Sequence, residues 1–238
     1  MATPHLVQLR SGLLSIAAFA LSFGLGSASA EEAPAARDIL KTVRVAQTAQ
    51  DRVLTGNLRT GPKKIPFRLS MKDGAVRWEF QDPSQTLVLR LGENSSSLEE
   101  ITADGKSKVG GARFDDPVRE SDITYEDLAL RFLYWSDAKV EGEQTIMLTK
   151  SWKLVVTPPS AGASTYGKVR LWIAKETGAL MKADAYDRDG KIVRSFTVRS
   201  GQKTNDGLWI LKQMRIETAV ARPGGDRTPT YIEIDKVD

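Results

Sequence analysis

The chain has 238 residues, with 34 Lys and Arg against 30 Asp and Glu, one histidine and no cysteine. Met1–Ala30 reads as a secretory signal peptide: Arg10 lies in a short n-region, Ser11–Gly26 is apolar or small, and Ala28-Ser29-Ala30 is a small-x-small site with cleavage expected after Ala30. Cleavage would remove Arg10 and the only histidine, His5, and lower the net charge from +4 to +3. Without mature His or Cys, a Ser-His-Asp triad, a thiol nucleophile, a Cys/His zinc site, haem attachment through Cys-x-x-Cys-His, a disulfide and a lipobox are all excluded.

After cleavage, Glu31–Gln50 is predicted to be a helix, because Ala36, Ile39, Leu40, Val43 and Ala46 recur at three- and four-residue spacing. The period then changes to two. Arg52–Thr60, Ile65–Met71, Ala75–Phe80, Gln85–Leu91 and Ser97–Thr102 are predicted strands, split by Gly61-Pro62, Lys72-Asp73-Gly74, Asp82-Pro83-Ser84 and Gly92-Glu93-Asn94. Asp104–Pro117 reads as a polar connector. Thr124-x-x-Asp127 is a capping box, and Tyr125, Leu128, Ala129, Phe132 and Leu133 share a face, so a second helix is predicted to about Trp135.

Period two returns over Ala138–Leu148, Trp152–Thr157, Tyr166–Ala174, Ala179–Asp187, Lys191–Ser200, Gly207–Ala221 and Thr230–Val237. About twelve strands joined by short turns make an antiparallel meander. A flat sheet of that width would leave one apolar face open, so it must curl, with the two helices filling its concave side. Residues 31–238 are expected to be one domain. An outer-membrane barrel is excluded because outward strand positions are charged, as at Lys153, Lys168 and Arg170, or at Arg194 beside Lys191, and aromatic girdles are missing.

Little in the chain suggests chemistry. Asp187-Arg188-Asp189-Gly190 starts like a calcium loop, but Lys191 and Val198 occupy later ligand positions, which leaves a hairpin turn. Gly105-Lys106-Ser107 lacks the upstream glycine and following helix of a phosphate loop. Glu99-Glu100 and Asp115-Asp116 are adjacent pairs in polar segments, not carboxyls facing each other across a site. No cofactor or metal is expected. Cations are interleaved with acids along the strands, which fits a solvated outer face, argues against nucleic acid and points to a monomer.

The apolar inventory is more informative. Val76, Trp78 and Phe80 share one strand face; Leu87, Leu89 and Leu91 share another. Later strands add Trp152, Leu154 and Val156; Val169, Leu171 and Ile173; Ala179, Met181, Ala183 and Ala185; and Leu208, Ile210, Met214 and Ile216. Two short helices cover only part of such a face. Either the sheet closes tightly on a core or an apolar hollow remains for a guest.

Four segments resemble the LolA/LolB lipoprotein-localisation superfamily, in particular its divergent outer-membrane lipoprotein-sorting group. Gly74-Ala75-Val76-Arg77-Trp78-Glu79-Phe80-Gln81-Asp82-Pro83 followed by Leu87-Val88 resembles its Trp-x-aromatic-x-x-Pro segment. Ser121-Asp122-Ile123-Thr124-Tyr125-Glu126-Asp127-Leu128 is similar to the start of its central helix. Tyr166-Gly167-Lys168-Val169-Arg170-Leu171-Trp172-Ile173 and Tyr186-Asp187-x-x-Gly190 resemble later strands.

The resemblance implies a mainly β, α+β fold: one strongly curved, unclosed antiparallel sheet, a half-barrel, with about two helices in its concave face. It implies a periplasmic, non-catalytic carrier or chaperone for acyl chains of lipoproteins or other lipid, with protein partners at the inner or outer membrane. On that reading the hollow is lined by Trp78, Phe80, Leu87, Leu89, Leu128, Phe132, Leu154, Leu171, Met181 and Ile210. Carriers of the superfamily place Arg-Pro before the tryptophan strand, tied to lid closure. Lys72-Asp73-Gly74 stands there in this chain, so no gating arginine carries over.

Two other readings stand beside this one. A periplasmic sensor could use the same fold to engage a membrane protein, although regulators of that kind carry a further C-terminal domain and this chain stops at Asp238. An enzyme built on a Ser/Lys or carboxylate site is the third.

Overall fold

A computed structural model describes residues 34–48, 51–219 and 227–236. The predicted signal peptide lies outside these residues, as do the ends of the predicted first helix. That helix, α1, is Ala36–Thr48. Six strands follow: β1 (Arg52–Thr60), β2 (Lys63–Lys72), β3 (Ala75–Phe80), β4 (Gln85–Leu91), β5 (Ser96–Thr102) and β6 (Gly105–Val109). A 3-10 turn at Gly111–Asp115, helix α2 (Tyr125–Ala129) and a 3-10 turn at Arg131–Tyr134 come next. The chain ends in β7 (Asp137–Ile146), β8 (Thr149–Thr157), β9 (Lys168–Ala174), β10 (Leu180–Tyr186), β11 (Ile192–Lys203), β12 (Trp209–Thr218) and β13 (Thr230–Ile234).

All thirteen strands form one antiparallel sheet in the order β6-β5-β4-β3-β2-β1-β13-β12-β11-β10-β9-β8-β7. The sheet is curved and not closed into a barrel, as the sequence pattern demands. Its topology explains the filling of the concave face. The first six strands step outward from β1 to one edge, and the last seven step inward from the opposite edge until β13 pairs with β1. Residues 110–136 must therefore travel from one edge of the sheet to the other. Their apolar side chains Val118, Ile123, Tyr125, Phe132 and Leu133 are buried along the way.

Alternation places the core. On β2, Ile65, Phe67, Leu69 and Met71 face the hollow, while Lys64, Pro66 and Arg68 are exposed on the outer face. Phe67 meets the Trp78 ring edge-on at 4.7 Å and the Phe80 ring at 6.3 Å. Gly56 of β1 pairs directly with Phe67. A Cβ at residue 56 would lie 2.1 Å from the Glu233 carbonyl oxygen and 2.8 Å from the Phe67 ring, so only glycine fits.

Four sequence expectations need correction. The connector Asp104–Pro117 contains β6, an edge strand whose single buried residue is Val109. The second helix stops at Ala129, because Leu130 turns into the left-handed region at φ 50°, ψ 33°. Arg194 lies on the inner face, paired across the ladder with Ala185, a residue of the core. A β-bulge between Leu180 and Lys182 shifts the β10 register, so Leu180 packs with the core and Met181 does not.

A candidate ligand-binding hollow and its polar latch

The concave face carries two apolar wells. The first is built from β1–β5, β12 and β13 and is covered by Tyr125 and Ala129 of α2. The second is built from β8–β10 and is covered by Ile39, Leu40 and Val43 of α1 together with Phe132, Leu133 and Trp135. Leu130 and Phe196 touch both. The ten residues predicted to line the hollow divide between them. Phe80, Leu87, Leu89 and Ile210 are buried in the first well, with Trp78 and Leu128 half-buried against it. Phe132, Leu154 and Leu171 are buried in the second. Met181 belongs to neither.

The floors of both wells are tightly packed. Leu87, Leu154 and Leu171 are wholly buried. One cavity of about 200 Å³ lies beside α1, against Ile39, Thr42, Trp152 and Gly178. Another of about 280 Å³ lies against Pro158, Tyr166 and Arg188. Neither touches any of the ten residues, and both fall below the roughly 300 Å³ at which drug-sized pockets begin.

Beside the buried apolar contacts of Val118, Ile123, Tyr125 and Ala129, a polar network holds that cover, and it maps onto Ser121–Leu128. Thr124 caps α2: its hydroxyl accepts from the Asp127 amide at 3.4 Å, and the Asp127 carboxylate accepts from the Thr124 amide at 2.8 Å. Such a box is worth about 1 kcal/mol. Asp122 reaches the sheet by accepting from the Thr230 hydroxyl at 2.9 Å.

Tyr125 donates to Glu100 of β5 at 2.7 Å, where Gln85 donates at 2.6 Å and Arg113 at 2.5 Å. Burial opposes charge on Glu100, but Arg113, Tyr125 and Gln85 together hold its carboxyl below the usual range. Burial and the Glu100 charge push the Tyr125 hydroxyl up to about 12.

The other anchor reaches the opposite half of the sheet. Asp127, buried, accepts from the Tyr166 hydroxyl at 2.6 Å and is ion-paired with Arg194 of β11. Burial disfavours the guanidinium, yet Asp127 and Tyr166 raise its affinity for the proton. Burial, followed by the Asp127 charge, raises the Tyr166 hydroxyl. Beside them Glu126, 2% exposed, accepts from Thr165 at 3.2 Å, and its second oxygen has no hydrogen-bond partner among the described residues. Burial pushes its carboxyl up, against the hydroxyls of Ser164 and Thr165.

Sequence reading found Asp127 as a cap and Glu100 as half of an acidic pair in a polar segment. In the fold the two are the anchor points of the cover. Glu100 is on β5 and turns inward, whereas its neighbour Glu99 turns outward to Lys106 at 2.9 Å. The available signal was Arg194 itself, a cation at the same parity as Phe196 and Val198 in an otherwise apolar row. Among the described residues no group of three or more His, Cys, Asp or Glu could hold a metal ion.

A family model described as that of an uncharacterized protein matches residues 107–238, more than half of the chain. The chain belongs to that family. The matched region of this family member contains the latch residues Asp122–Asp127, Tyr166 and Arg194, together with β7–β13. No curated protein matches its sequence.

Among solved structures, a DUF1329 family protein from Desulfovibrio piger aligns with TM-score 0.62 at 19% identity, over 86% of this chain and 92% of its own. A putative outer membrane lipoprotein-sorting protein domain from Vibrio parahaemolyticus gives 0.62 at 14% identity, over 84% and 90%. A LolA superfamily protein from Nitrosomonas europaea gives 0.58 at 13% identity, over 86% and 93%. The family member thus has the fold of the divergent LolA-like group.

Proposed function

We propose that this protein is a periplasmic, non-catalytic carrier or chaperone that shields acyl chains of lipoproteins, or other lipid, from water. The observation that carries the reading is the cover of the first well. A five-residue helix tethered by side-chain hydrogen bonds and one buried ion pair closes an apolar surface, and that cover can leave without breaking a strand ladder. Each methylene a guest buries contributes about 0.8 kcal/mol, so a chain of ten offsets the loss of several latch contacts. The similarity in fold to a lipoprotein-sorting domain supports the same reading.

Trp78, Phe80, Leu87, Leu89, Leu128 and Ile210 would then contact cargo in the first well, and Phe132, Leu154 and Leu171 in the second. Met181 drops to the margin, with Leu180 in its place. Residues 1–30 would direct export, and membrane proteins would load and unload the carrier.

Native mass spectrometry of the mature protein taken from its own periplasm, followed by organic extraction, tests this directly. A bound acyl species is expected, and folded Trp78→Asp protein should lack it. A clean apo mass before and after lipid is offered would contradict the reading. It would favour a second one, supported by the tightly packed wells: a periplasmic module that uses its surface to engage a membrane protein partner.

A further inference from the structure

The β7–β8 hairpin ends in Ile146-Met147-Leu148-Thr149, with Ile146 paired to Thr149. The two central residues both have positive φ, 46° at Met147 and 66° at Leu148. Two-residue turns of this kind favour Asn-Gly, because ordinary side chains are strained there. Here the strained positions hold two large apolar residues, and they point into water: Met147 is 50% exposed and Leu148 is 98% exposed. Leu148 is the most exposed large apolar side chain among the described residues. Neither the turn geometry nor the core explains the choice of residue.

The tip also projects. β7 is the edge of the sheet, and on the other side the β8–β9 ladder ends at Ser151 paired with Ala174. The pair Ile146–Thr149 and the turn beyond it therefore overhang the neighbouring strand. Lys150, two residues from Leu148, is exposed and makes no ion pair among the described residues. The Lys175 amide bonds its carbonyl at 3.0 Å, and the Lys175 side chain is paired with Glu143, so Lys150 is the cation that the tip offers.

We infer that this tip is a membrane contact: Met147 and Leu148 insert into the headgroup–acyl boundary of a bilayer while Lys150 meets anionic headgroups. Two apolar side chains fall far short of the roughly 800 Å² per partner of a stable protein interface. They suit a shallow lipid contact, in which each buried methylene counts and a nearby cation adds attraction to anionic lipid. The inference does not rest on cargo binding, because it concerns the tip of the edge hairpin and not the hollow.

The test is flotation of the full mature protein with vesicles of phosphatidylethanolamine and phosphatidylglycerol, with no cargo present. Exchanging the tip for its preferred turn, Met147→Asn with Leu148→Gly, should lower vesicle affinity by about tenfold or more. The same exchange should leave the thermal midpoint unchanged or raise it by about 2–4 °C, since it relieves the turn. Leu148→Trp should keep vesicle binding and show a blue-shifted emission on vesicles that wild-type protein does not add.

Equal binding by wild-type and Asn-Gly protein overturns the inference, as does a Leu148→Trp emission that vesicles leave unmoved. Failure of wild-type protein to bind vesicles also overturns it and turns the tip toward a protein partner. None of these outcomes bears on the acyl mass measured in extracted protein, so this inference and the carrier reading can fail separately.

Discussion

The two wells of the concave face are closed by different chemistry. The second is sealed by α1, whose Ile39, Leu40 and Val43 are buried against Leu154, Val156, Leu171 and Ile173. The first is covered by Val118, Ile123, Tyr125 and Ala129, and the same segment also buries the polar Asp122, Glu126 and Asp127. Apolar contact is non-directional and declines gradually as elements separate. A buried ion pair and a hydroxyl–carboxylate bond hold in one geometry and lose most of their strength once water enters. On the carrier reading, cargo displaces the cover of the first well before it opens the second.

The sharpest way to break this contrast is Arg194→Met. It leaves the Asp127 charge buried with no cation, held only by hydrogen bonds from Tyr166 and Thr124, and should cost about 3–5 kcal/mol in urea unfolding. Hydrogen exchange should locate the damage in residues 121–134 while β8–β10 stay protected. Next comes Leu154→Ala in the second well, expected to cost about 2–5 kcal/mol. There the loss should appear across β8–β10 as a whole. If both variants relax the same amides, the wells are one cooperative unit and the contrast fails.

A smaller effect comes from pH. Burial raises the Glu126 carboxyl in the folded state, so its contribution is full below the ordinary carboxylate range and is lost as pH rises through the raised value. Glu100 has the opposite sign. Its lowered carboxyl contributes above the ordinary range, and that contribution is lost as pH falls through the folded value. Exchange at α2 should therefore be slowest between these limits, and Glu126→Gln should remove the alkaline rise alone. Smallest of all, Arg68→Ala on the outer face breaks an exposed 3.0 Å pair with Glu79 and should change stability by no more than about 1 kcal/mol.

Much of the fold could be read from residue spacing. Alternation marked the long strands because one face of each is buried, and Thr124-x-x-Asp127 marked the start of α2. The sequence pattern failed where that logic does not apply. β6, Gly105-Lys106-Ser107-Lys108-Val109, buries a single side chain at an edge and so looks like a loop. The end of α2 carries no glycine or proline, because Leu130 itself takes the left-handed turn while touching both wells. Arg194 looks outward in the sequence because isolated cations on strands usually face water. Its partner Asp127 lies 67 residues away and is brought to it only by the crossing segment. The apolar lining was legible as a set, but the division into two wells was not, since it depends on where residues 110–136 cross the sheet.

The most direct test of the removable cover is hydrogen exchange on the mature protein with and without a bound palmitoylated peptide. Loading should strip protection from residues 121–130 and leave α1 and β8–β10 as protected as before. Peptide bound with the same residues unchanged or more protected would mean that α2 is core, and that cargo, if carried, lies elsewhere.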